Sequence, residues 1–147
     1  MSEAAYRKIL LPIELGEPSS WQRALPAAIS LARANDAHLD VLTVIPDMGM
    51  PVVGSFFPAD FEKKARKEAE KALAQWLEEN VPDDIQAEAW VSVGTIYDKI
   101  LKVAKRLNSD LIVMASHRPN MKDYLLGPNA ARVARHAPID VFIVRSV

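Results

Sequence analysis

Short apolar runs alternate with longer helical patterns from one end of the chain to the other, and this alternation restricts the fold more than any other feature. Residues 9–13, 39–45 and 111–114 are nearly unbroken apolar runs, as in strands covered on both faces. Residues 86–93 alternate Ala87, Ala89, Val91 and Val93 with mostly polar neighbours, the period of a half-exposed strand. Residues 139–144 read as a fifth strand. Four helical patterns lie between them. The first runs to about Ala34 from a cap at Ser19 or Ser20, and Pro26 is expected to kink it or move its start. The second follows a cap at Asp60 and turns Phe61, Ala65, Ala69, Ala72, Leu73, Trp76 and Leu77 to one face. The third opens on Thr95 and Asp98 at capping-box spacing, with Ile96, Ile100, Val103, Ala104 and Leu107 facing inward. The fourth covers 129–136. Strands alternating with helices call for right-handed crossovers. The expected fold is therefore α/β: a Rossmann-like three-layer sandwich, with a mostly parallel five-stranded sheet between helices. With no repeat or linker in its 147 residues, the chain fits one domain, 1–147.

Charge and residue usage close off several kinds of function. The 18 basic and 19 acidic residues nearly cancel, leaving a net charge of −1. No basic footprint for nucleic acid and no polybasic membrane patch is present. The absence of cysteine excludes disulfides, thiolate metal ligands and a cysteine nucleophile. The five glycines, at 16, 49, 54, 94 and 127, form neither the dinucleotide fingerprint nor the P-loop. No apolar run reaches the length of a membrane span, and the first residues lack a signal-peptide pattern, so a cytoplasmic protein is expected. The three histidines show no close metal-ligand spacing, and no metal site is expected. His38 reads as a surface residue ahead of the second strand, and His136 as a cation near a helix C-terminus.

Ligand chemistry and fold logic meet at one place. The fourth strand runs into Met114, Ala115, Ser116, His117 and Arg118, and the fourth helix starts after Gly127 and Pro128 with Asn129 and Ala130. Free backbone N–H groups and the positive end of the helix dipole converge there, making an anion-binding corner. Ser116 and His117 are adjacent, a spacing that does not set a base against a nucleophile. No catalytic residue is assigned, and a regulatory binding protein is expected rather than an enzyme. Two other segments stand out. Residues 46–58 carry Pro46, Pro51 and Pro58 among apolar side chains, as a lid or a partner surface would. The last strand carries neither proline nor lysine, although a terminal strand of such a sheet lies at an edge. An apolar edge invites pairing, so a homodimer through 139–144 is expected.

The motifs KILLPIE at 8–14, VLTVIP at 41–46, VG at 93–94, SHRP at 116–119, LLG at 125–127 and RHAP at 135–138 resemble the universal stress protein family, in order and over nearly the whole chain. The SHRP wording is similar to the branch of UspF- and UspG-type proteins. The resemblance implies strand order 3-2-1-4-5, dimerisation through the last strand, and a nucleotide crevice at the ends of strands one and four. Carried over position by position, it sets Glu14, flanked by Pro12 and Ile13, where nucleotide-binding members usually have an aspartate against the nucleoside. It sets the backbone of Val44 against adenine. In the phosphate loop Ala115 and Arg118 stand for the first two glycines, the stretch from Arg118 to Gly127 is one residue short, Gly127 keeps the third glycine, and Pro128 replaces a serine or threonine.

These departures have physical consequences. Arg118 adds a guanidinium able to grip phosphate. Pro128 removes a hydroxyl and a backbone N–H, although proline suits the first helical position. The resulting expectation is an adenine nucleotide, ATP or AMP with or without Mg²⁺, bound as a regulatory ligand. It would order 46–58 and 118–127 for a protein partner whose identity the sequence does not give. Three rivals follow from the same residues: a scaffold that has lost its ligand, a slow ATPase or self-phosphorylating protein using Ser116, His117 and Arg118, and a flavin module on a similar fold.

Overall fold

The computed structural model describes residues 4–46, 59–116 and 127–146. The chain order is β1 (Lys8–Ile13), a 3₁₀ turn (Pro18–Ser20), α1 (Ala24–Asn35), β2 (His38–Pro46), α2 (Ala59–Asn80), β3 (Ala87–Gly94), α3 (Ile96–Arg106), β4 (Leu111–Ala115), α4 (Pro128–His136) and β5 (Asp140–Val144). All five strands are parallel, in the order β3-β2-β1-β4-β5. The expected sandwich and strand order are the ones observed. The segment 47–58, His117, Arg118 and the rest of 117–126 lie outside the described residues.

Alternation along the central strands divides the interior in two. Ile9, Leu11, Ile13, Leu39, Val41, Leu111 and Val113 face Ala24, Leu25, Ala28 and Ala32 of α1 and Leu73 and Trp76 of α2. Leu10, Leu42, Val44, Ile112 and Met114 face Ile100, Val103 and Ala104 of α3 and Ala130 and Val133 of α4. Most of these side chains are fully buried, and each such Leu or Ile contributes roughly 1.5–3 kcal/mol of transfer free energy.

Local expectations fare unevenly. Pro26 does move the helix start: α1 begins at Ala24, which places the proline in the first turn, where its missing N–H costs no bond. At the other end α1 stops on Asp36, whose left-handed φ of 51° turns the chain toward β2. Ser20 is not a helix cap. Its hydroxyl receives the Glu14 N–H at 2.8 Å and also lies within hydrogen-bond reach of the Glu14 and Glu17 carbonyls. Thr95 does sit at the N-cap of α3, but its side chain makes no cap bond. Asp98 pairs instead with Lys102 at 3.0 Å. The helix α2 starts at Ala59, so Asp60 lies inside its first turn. Phe61 is 61% exposed rather than inward, and Ala72 is exposed as well.

Candidate functional site

The site begins with a parting of strands. On one flank β1 pairs with β2 along its whole length, from Lys8–His38 to Ile13–Thr43. On the other it pairs with β4 only at Ile9–Leu111 and Leu10–Ile112. Pro12 brings no N–H to either neighbour, and beyond Leu10 the two strands separate. The helices that follow β1 and β4 also lie on opposite faces of the sheet, α1 on one and α4 on the other. Such a switch point is where open α/β sheets place their ligand crevices.

Three local devices fix the rim. The Glu17 N–H donates to the Glu14 carbonyl at 3.0 Å, and Ser20 binds both backbone groups of Glu14, so the chain leaving β1 turns back at once. Thr43 is buried and donates its hydroxyl to the Ile13 carbonyl at 3.0 Å, tying the ends of β1 and β2. Gly127 N–H donates to the Ser116 carbonyl at 2.7 Å, and Ser116 N–H to the Val144 carbonyl at 2.9 Å. The start of α4 is thereby seated over the end of β4.

The crevice so formed holds about 90 Å³ of internal space and opens to solvent at its mouth. Pro12, Ile13, Glu14, Val44, Met114, Ala115, Ser116, Gly127, Pro128, Asn129 and Ala130 all line it. Of the crevice residues singled out in the sequence, only His117 and Arg118 fall outside the described residues. The crevice also takes in residues that sequence reasoning missed: Glu17, Ser19 and Ser20 on the rim, and Ile96 and Ile100 from α3. The spacing of Ile96 and Ile100 marks them as inward-facing, but not that the start of α3 lines the crevice. Ser19 and Ser20 were legible as polar residues near a helix start, a role that hid their place on the rim.

The lining combines three kinds of chemistry. Ile13, Val44, Ile96, Ile100 and Met114 make an apolar floor suited to a flat ring. Glu14, half-buried at the end of β1, offers carboxylate oxygens as acceptors for hydroxyls. The helix α4 begins with Gly127 as N-cap and Pro128 at the first position, and no side chain caps it. The first intrahelical bond runs from Ala131 N–H to the Gly127 carbonyl. The N–H groups of Asn129 and Ala130 thus belong to the unpaired set of a helix start, where an anion is favoured. An apolar floor, an acceptor and an anion-attracting helix end are what the base, sugar and phosphate of a nucleotide call for, so the residues present fit such a group.

The known proteins that this chain resembles have the same architecture. Residues 5–145 match the universal stress protein family. Universal stress protein G of Shigella flexneri is 30% identical over 143 residues, covering 95% of this chain and 99% of that relative. Among solved structures, hypothetical protein MJ0577 superposes with a TM-score of 0.80 at 24% identity, covering 95% of this chain and 96% of the other. A universal stress protein crystallised in complex with cAMP superposes with a TM-score of 0.61 at 23% identity, covering 97% and 99%. With the motifs, the strand order and a match over almost its full length in agreement, the chain belongs to the universal stress protein family.

Proposed function

We propose that this protein is a cytoplasmic stress-response protein, a homodimer that binds an adenine nucleotide as a regulatory ligand in the crevice between β1 and β4. The observation that carries the reading is the composition of the lining, which brings an apolar floor, Glu14 and the uncapped start of α4 to one crevice. The fold shared with a universal stress protein solved with cAMP supports the nucleotide class. Among the described residues no helix is long and apolar enough to cross a membrane, which accords with the location.

For the dimer, support comes from β5. It pairs only with β4 among the described residues, and Phe142 on it is 46% exposed. An apolar edge strand is a template for a second copy. A monomer by light scattering at micromolar concentration would rule this out.

Calorimetric titration with ATP and AMP, with and without Mg²⁺, tests the nucleotide, using wild type beside Pro128→Ser. Micromolar binding by the wild type supports the regulatory reading. Silence in the wild type with binding by Pro128→Ser favours the second reading, a dimeric scaffold whose crevice no longer takes ligand. The observation behind that second reading is Pro128 at the first position of α4, where it withholds a donor.

A further inference from the structure

The opposite end of the sheet holds a second cluster of polar groups, which the crevice does not use. Register sets Lys8 of β1 beside His38 of β2, and Asp40 of β2 beside Glu88 of β3. Asp40 is fully buried. A buried carboxylate with another carboxylate on the neighbouring strand is unfavourable unless positive charge lies between them. Its Oδ1 accepts a hydrogen bond from Trp90 Nε1 at 2.9 Å and lies 3.0 Å from His38 Nε2. Its Oδ2 lies 3.0 Å from Lys8 Nζ but accepts no well-directed hydrogen bond. The same His38 Nε2 stands 3.6 Å from Glu88 Oε1.

We infer that His38, Asp40 and Glu88 form a site for a divalent transition-metal ion of the zinc type. One ligand atom from each lies within 4.8 Å of the others. In a tetrahedral zinc site with bonds near 2.0–2.1 Å, ligand atoms stand about 3.3 Å apart. The two separations at His38 Nε2, 3.0 and 3.6 Å, fall on either side of that value. All three ligands are carried by paired strands, so little ordering remains to be done on binding. Lys8 and Trp90 hold the Asp40 carboxylate from behind, as outer-shell groups orient a metal ligand. Glu88 is exposed and His38 only partly covered, which leaves an entry path and a fourth position for water. An imidazole with two carboxylates selects against Mg²⁺ and Ca²⁺, which take larger all-oxygen sets. When the ion enters, neutral imidazole and two carboxylates bind it, and the His38–Asp40 hydrogen bond gives way to the metal bonds.

Chelator-stripped full-length protein, titrated with Zn²⁺ against a chromophoric chelator and with Co²⁺ by visible absorption, tests the site. The expected result is one equivalent bound in the micromolar range or tighter, weakened at least about tenfold by His38→Gln and by Glu88→Gln. His136→Gln, at the far end of α4, serves as the unaffected control. Glu88 is exposed, so its variant keeps the fold, as far-UV circular dichroism checks. No binding by the wild type in that range, or wild-type affinity in either ligand variant, overturns the inference.

Discussion

The two ends of the sheet solve the problem of polarity differently. At the crevice end the polar partners are mostly backbone: the N–H groups at the start of α4, the Glu14 main chain held by Ser20, and the Ser116 carbonyl bound by Gly127. At the other end they are side chains: Lys8, His38, Asp40, Glu88 and Trp90 packed about one buried carboxylate. Backbone donors survive substitution of most side chains, so the crevice end tolerates changes of residue while keeping its geometry. The charged end has no such reserve. Removing one partner there leaves another group stranded away from water.

The largest effect that distinguishes the ends is therefore one of stability. Lys8→Met takes the ammonium from a fully buried carboxylate and should cost about 3 kcal/mol in urea unfolding, with nucleotide affinity unchanged. A loss of affinity together with stability would break the distinction. Next, Asn129→Asp puts a negative charge where the start of α4 faces the crevice. Nucleotide affinity should fall about tenfold, about 1.4 kcal/mol. Thermal stability should rise slightly, because an acid in the first turn of a helix is favoured. Opposite signs of the two effects are the signature to look for. Thr43→Val removes the buried hydroxyl that joins the ends of β1 and β2. A loss of about 1 kcal/mol by denaturant titration is expected, with weaker nucleotide binding as the rim loosens.

The smallest effect belongs to an exposed pair that takes no part in either cluster. Arg33 makes two hydrogen bonds to Asp84, at 2.8 and 3.0 Å, and both side chains are largely exposed. Those hydrogen bonds hold the Asp84 carboxyl below its ordinary value. A carboxyl lowered in the folded state contributes stability above its unfolded value and loses it as pH falls through the folded one. Arg33→Ala should therefore narrow the stability gap between neutral and acid pH, and only slightly, since the pair is screened by solvent. Matched pH series of thermal melts for wild type and variant provide the check.

How much of this was legible in the letters follows the same division. Apolar runs and helical spacing foretold every strand and α-helix, because a doubly covered sheet needs them whatever the details. The crevice residues followed from motifs at the ends of strands, positions that fold topology itself defines. The misplaced residues are those whose partner is chosen in three dimensions. Ser20 and Thr95 stand where caps belong, yet Ser20 binds the end of β1 and Thr95 makes no cap bond. Phe61 keeps the helical spacing of its neighbours but lies beyond the part of α2 that covers the sheet, where Leu73 and Trp76 are buried. His38 was read as a surface residue ahead of β2 and is the first residue of that strand, bonded to Asp40. The His-x-Asp spacing at 38–40 was the available signal, but only strand register brings Glu88 alongside it.

The bond from Gly127 N–H to the Ser116 carbonyl also bears on how the chain can change. It closes the connection between β4 and α4 at its base, as a buckle closes a strap. The seat of the helix over the strand is then set by the two residues at the ends of the connection, Ser116 and Gly127. Because both partners are backbone groups, side-chain substitution at position 116 or 127 leaves the bond available.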